Sequence, residues 1–158
     1  MPEAAAMNRR RFALAGAALF AAGPAHAAAP REITVHKTPW CGCCKGWTTH
    51  LTRAGFRVKT VEVQDLAPIR EKHGIPFKLS SCHTGEIGGY FVEGHVPVAD
   101  IQRLLRERPK ALGVTVPGMP IGSPGMESRD GAVEAYATLL VLDRKGATRV
   151  FARHGQKS

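Results

Sequence analysis

Apolar positions along the chain recur with two periods, and the switches between them mark out elements. Ile33–His36 is a short run rich in β-formers, and Pro39 ends it. Trp47, Leu51 and Ala54 then fall at i, i+4 and i+7, one stripe of a helix over Lys45–Ala54 that Gly55 stops. Phe56–Val63 alternates apolar and polar residues as a half-buried strand does. Strand, helix and strand joined by short connections predict a βαβ unit. Leu66–His73 predicts a short helix with Pro68 near its start, where proline is tolerated, and Gly74-Ile75-Pro76 as its end. Leu79–His83 leads through Gly85, Gly88 and Gly89 to Tyr90-Phe91-Val92, a strand or hairpin broken by glycines. Val98, Ile101, Leu104 and Leu105 trace an amphipathic helix closed by Pro109. Thr115–Glu127 interleaves Pro117, Pro120 and Pro124 with glycines and reads as loop throughout. Tyr136–Leu142 and Thr148–Arg153, joined by Asp143–Gly146, predict a terminal hairpin.

The first residues follow another logic. Asn8-Arg9-Arg10-Arg11-Phe12 precedes an uncharged run from Phe12 to Ala22, and Ala25-His26-Ala27 has the small-x-small form of a cleavage site. Residues 1–27 therefore read as a secretory signal peptide of twin-arginine-like type, its apolar run shorter than the roughly 20 residues of a membrane span. Cleavage before Ala28 leaves one domain over residues 28–158, with the periplasm as its expected location and no membrane attachment. The whole chain carries a formal charge of +9; removing the leader takes away three arginines and one glutamate and leaves +7. An exported basic protein meets no genome, so the charge does not argue for nucleic-acid binding, and Arg103, Arg106 and Arg108 read as a solvated helix face.

Export also changes the meaning of the cysteines. Cys41, Cys43, Cys44 and Cys82 all follow the leader, in a compartment that permits disulfides. Structural bridges are the plainest reading, but bonds within residues 41–44 close almost no loop and would stabilise little. Trp40-Cys41-Gly42-Cys43-Cys44-Lys45 looks like the thioredoxin active site, Trp-Cys-Gly-Pro-Cys-Lys, with a third cysteine in place of the proline. A thiol at a helix N-terminus is favoured as thiolate, which makes it a nucleophile and equally a ligand for a soft metal. Cys43, turned by roughly 100° from Cys44 on a helix, duplicates neither redox thiol and suits the capture of one or more soft cations, reaching another ion or the distant Cys82. Cys82 is a candidate fourth ligand; the alternative is an inert buried cysteine beside a surface histidine, His83. His36, His50 and His95 read as weak candidates. Met119 and Met126 lie between turn residues of the Pro/Gly loop, where no periodicity directs them inward, and thioether with thiolate selects Cu(I). Core filling is the competing role.

The segments TPWCGCCKGW, SSCHTGEIGGYFVEGHVP and VPGMPIGSPGME together resemble a family of small periplasmic proteins linked to copper resistance, the CopG-type metal-binding proteins. The resemblance spans about Glu32 to Glu127. It implies an α/β, thioredoxin-like fold and copper held by the Cys-x-Cys-Cys thiols with help from later Cys or Met residues, together with a role in copper redox handling. The expectation is a thioredoxin-like single domain with a Pro/Gly-rich loop and a C-terminal β-hairpin. It binds Cu(I), as more than one ion, through Cys41, Cys43, Cys44, Cys82, Met119 and Met126. Its partners are copper ions and other periplasmic copper-handling proteins. Two other readings stay open. One is a thiol–disulfide oxidoreductase with Cys41 as nucleophile and Cys44 as resolving thiol. The other is a structural zinc site built from the four cysteines.

Overall fold

A strand with alternate apolar residues must hide one face, and β1 (Glu32–Lys37) does so by burying Ile33 and Val35 completely. The computed structural model describes residues 32–155, so the leader read over residues 1–27 lies outside the described part. After β1 come α1 (Gly42–Arg53) and β2 (Arg57–Glu62), and β2 pairs parallel to β1 as the βαβ pattern requires. Helix α2 (Ala67–His73) ends where Gly74 adopts φ 68°, a left-handed cap that glycine takes without strain. A short turn of 3₁₀ helix at Phe77–Leu79 leads into the hairpin of β3 (His83–Ile87) and β4 (Tyr90–Glu93). Helix α3 (Val98–Glu107), β5 (Gly113–Thr115), β6 (Tyr136–Val141) and β7 (Thr148–His154) complete a seven-stranded sheet of order β2-β1-β3-β4-β5-β6-β7. The β1/β2 and β4/β5 pairs are parallel and the others antiparallel.

Successive strand residues serve opposite faces. Val92 and Leu140 join Trp47 and Leu51 of α1 and Ile101, Leu104 and Leu105 of α3 in the main core. Their neighbours Phe91 and Val141 pack with Ile75 and Leu79 in a smaller cluster on the other side. Burial of each such side chain contributes about 1.5–3 kcal/mol, so the helix that carries the cysteines is anchored by Trp47 and Leu51. The Trp47 indole N–H also donates to the Val96 carbonyl at 2.8 Å, which satisfies its one polar atom.

Two boundaries differ from the sequence pattern. Helix α1 begins at Gly42 and takes in Cys43 and Cys44, because the apolar stripe reports only the buried face and is silent over a polar first turn. Strand β5 claims Gly113, Val114 and Thr115, with Thr115 drawn out of the predicted loop, since three buried residues are too few to display a period. A Cβ at Gly113 would collide with the Phe91 carbonyl, so the close approach of β5 to β4 requires glycine there. The terminal hairpin forms as predicted.

Candidate metal centre

The register of β1 against β3 sets Lys37 opposite His83. Cys82, one residue before His83, is thereby brought to the end of β1, where the chain turns through Thr38–Trp40 into α1. Cys41 is the residue before the helix, and Cys43 and Cys44 occupy its first turn, where backbone N–H groups lack intrahelical partners. The four sulfurs converge. Cys43 Sγ lies 3.6 Å from Cys41 Sγ and 3.7 Å from Cys82 Sγ, Cys44 Sγ lies 3.6 Å from Cys82 Sγ, and all four fall within 4.8 Å of one another. Cys41 and Cys44 are joined as a disulfide, with Cys43 and Cys82 as free thiols. Cys43 therefore bridges the motif and Cys82, the second of the two reaches expected of it from the sequence.

Cys82 is fixed by a buried ion pair. Glu93 has no exposed surface; its Oε1 accepts from Arg70 Nε at 3.0 Å and from the Ser81 N–H at 2.7 Å, and its Oε2 from Thr84 Oγ1 at 2.5 Å. Arg70 also donates through Nη2 to the Ser81 carbonyl, so both ends of the residue before Cys82 are held. Burial raises the Glu93 pKa, and the Arg70 charge is the largest opposing effect. For Cys82, burial first and the neighbouring Cys43 second push the thiol up to about 12. Without a cation it keeps its proton; a metal ion would displace it.

The Pro/Gly loop folds back over this end of α1. The Gly118 N–H donates to Ser80 O at 3.1 Å, and Ser81 Oγ donates to Gly118 O. Met119 is thereby brought to an open cleft of about 440 Å³, whose walls include Trp40, Cys41, Cys43, Arg70 and Cys82. Met119 and Trp40 are exposed at its rim. Gly125, at φ 88°, packs so tightly on α1 that a Cβ would strike Trp47 N and Cys43 O. Met126 is half-buried in the same loop, its backbone bonded to Ser123 and Gly122, and it is not among the residues lining the cleft.

Two histidines complete the centre. His83 is fully buried, not on the surface, and its Nδ1 lies 3.3 Å from Cys82 Sγ. His95, a weak candidate by sequence, is also fully buried, with Nε2 3.0 Å from Cys82 Sγ. The available signal was the glycine before it: Gly94 takes φ 74°, and a Cβ there would strike Ser81, which marks a close approach to the Cys82 turn. His36 and His50 lie elsewhere, paired with Glu86 at 2.9 Å and Glu127 at 2.6 Å. Among the described residues no helix is long and apolar enough to cross a membrane.

Residues 79–126 match the family described as protein of unknown function DUF411. Two solved structures of copper resistance protein CopG, form 1 and form 2, are 47% and 46% identical to the chain. Each superposes with a TM-score of 0.73 over 79% of this chain and 98% of its own. A search of curated proteins finds no significant match.

Proposed function

From the premise that the chain belongs to the CopG family of copper resistance proteins, we propose that it is an exported, periplasmic protein that binds copper as Cu(I) and protects against it. The observation that carries this reading is the convergence of the Cys41, Cys43, Cys44 and Cys82 sulfurs within 4.8 Å. Reduced, thiols at such spacing resist ionising together, and a soft cation that displaces their protons relieves the repulsion among the thiolates so formed; thiolate donors select Cu(I). Four sulfurs also meet the needs of tetrahedral zinc, and the Met119 thioether at the cleft favours copper over it. Met126 is the second thioether of the same loop. Cys43, in contact with both Cys41 and Cys82, suits a sulfur that bridges more than one ion.

The order β1, cysteine turn, α1, parallel β2 supports a thioredoxin-like reading of this half of the chain. The leader, from Asn8-Arg9-Arg10-Arg11-Phe12 to Ala25-His26-Ala27, supports export. The exposed Trp40 beside the open cleft offers access to other periplasmic copper-handling proteins.

The Cys41–Cys44 disulfide favours a second activity, thiol–disulfide or copper oxidoreduction, with half-buried Cys41 as nucleophile and fully buried Cys44 as resolving thiol. Opening that bond consumes two electrons and two protons and yields two thiols. Two Cu(I) ions supply the electrons on becoming Cu(II); in reverse, two thiols reduce two Cu(II) ions and release two protons. Competition of the reduced protein against Cu(I) and Zn(II) chelators tests the main reading. Retention of Cu(I) by far the more tightly is expected, and retained zinc with excluded copper would replace it by a structural zinc site.

A further inference from the structure

We propose that Gly46 is a positioning residue of the metal centre: it leaves the gap on α1 in which the Pro/Gly loop seats at Gly125, and the seated loop sets the His95 ring beside Cys82. The inference rests on the reading of copper as the bound ion and extends it to a residue outside the set of candidate ligands.

Gly46 is an anomaly of α1. It lies inside the helix and is not among the glycines of positive φ, so no turn requires it there. Glycine inside a helix is less stable than alanine, and what an alanine would meet accounts for its presence. A Cβ on Gly46 would stand 3.0 Å from Gly125 Cα and 3.4 Å from the Gly125 carbonyl oxygen. Gly125 is itself pressed onto the helix, where a Cβ of its own would come within 2.6 Å of Trp47 N and 2.7 Å of Cys43 O. The approach is backbone to backbone, so no side chain can swing aside to admit a methyl group; the loop must move outward.

The contact is one of a row. Cys43, Gly46 and His50 fall at i, i+3 and i+7 on one face of α1, and each meets the loop. Gly125 packs over the Cys43 carbonyl and Gly46, while His50 Nε2 lies 2.6 Å from Glu127 Oε1, which also accepts from the Gly125 N–H at 2.9 Å. The loop is tied to itself between these points: the Gly122 N–H donates to Met126 O and the Met126 N–H to Ser123 O, each at 2.8 Å, and Ser123 is fully buried. A displacement at Gly125 is therefore passed to its neighbour Pro124, whose carbonyl lies 2.8 Å from His95 Nδ1. A carbonyl can only accept, so this one holds the ring proton on Nδ1 and aims Nε2 at Cys82 Sγ, 3.0 Å away. Moving the loop outward lengthens the hydrogen bond that orients His95, and with it the order at Cys82 declines. A glycine retained for packing alone would have no such reach.

The test is Gly46→Ala in the full chain. Alanine favours the helix, so the reduced, metal-free protein should melt within about 3 °C of the parent. Amide exchange at Gly122 and Met126 should nevertheless quicken, nitrogen NMR of the His95 ring should show the Nδ1–H tautomer giving way to a mixture, and Cu(I), titrated against a chelator, should bind about tenfold more weakly. Unchanged exchange would show that Gly46 does not seat the loop. Faster exchange with an unchanged His95 signal and unchanged Cu(I) affinity would show that the loop does not position the centre; either result overturns the proposal. A second pair of variants decides the matter if alanine at this position unfolds the protein. His50→Ala removes the latch on the same face of α1 and should loosen the loop and weaken Cu(I) binding, whereas His50→Gln keeps a donor for Glu127 and should restore the affinity. A loosened loop with parental Cu(I) affinity in His50→Ala would again overturn the proposal. A parent that takes up no Cu(I) would refute the copper reading, and the exchange and His95 signals of the metal-free variants would still decide whether the seat orients the ring.

Discussion

Replacing Arg70 by alanine removes the cation that holds Glu93 and, through Ser81, Cys82. Its guanidinium donates to the Glu93 carboxylate at 3.0 Å and to the Ser81 carbonyl. Glu93 has no exposed surface, so the variant leaves a carboxylate in surroundings that already raise its pKa by burial. Breaking a buried pair from one side costs about 3–5 kcal/mol. The Arg70 side chain is 20% exposed, which argues for the lower end of that range. For a domain of this size, at roughly 3–5 °C per kcal/mol, the metal-free protein should melt about 10–15 °C lower. Glu93→Gln keeps the shape and loses the charge, so it should cost about 1–2 kcal/mol. Calorimetry of the reduced, metal-free protein gives the stability, and competition with a Cu(I) chelator gives the affinity. With its carbonyl freed and the Glu93 that accepts its N–H no longer clamped by Arg70, the Ser81 peptide holds Cys82 less firmly, and Cu(I) affinity should fall by about tenfold or more. A melt within about 2 °C of the parent would refute the energetic argument. A lower melt with unchanged copper affinity would refute the claim that the clamp holds Cys82 for metal.

Three other outcomes follow from the same structure. Cys43→Pro restores a thioredoxin-like spacer in the first turn of α1, where proline is tolerated; copper capacity should fall and disulfide reductase activity rise, and unchanged copper uptake would refute the bridging role of Cys43. Met119→Leu with Met126→Leu, which costs under about 1.5 kcal/mol in packing, should weaken Cu(I) binding while the metal-free melting midpoint barely moves, and equal copper binding would reduce both residues to loop packing. Glu86 accepts from Lys72, His36 and His73; burial opposes these bonds, yet together they bring its pKa from 4.5 down to about 2. A carboxylate depressed in the folded state contributes stability above its unfolded pKa and loses it as pH falls. Acid should therefore destabilise the protein between pH 4.5 and about 2, and Glu86→Gln should flatten that slope in melts recorded across the window.

The elements legible in the sequence are those long enough to show a period. Trp47 and Leu51 announce α1, Ile101, Leu104 and Leu105 announce α3, and the alternation after Phe56 announces β2. β5 was missed because Gly113-Val114-Thr115 is buried throughout and has no polar phase. The cysteine triplet declares its chemistry locally. Its meeting with Cys82 depends on the β1/β3 register, a contact between residues far apart in the chain that no local pattern encodes. His95 was underrated for a similar reason. A single histidine carries no spacing signal, and only the fold shows its ring enclosed between Cys82 and the Pro124 carbonyl. The methionine loop lies between these cases: its turn residues were readable, but the attachment through Gly118 and Ser80 that brings Met119 to the cleft was not.

The most direct test of the central claim is elemental analysis of the protein purified from copper-fed cells, with metal counted per chain. The four converging thiols predict copper as the bound metal, at more than one ion per chain, and its loss when Cys43 and Cys82 are both replaced by serine. Protein recovered with one zinc ion and no copper, or with copper undiminished in the double variant, would contradict the account.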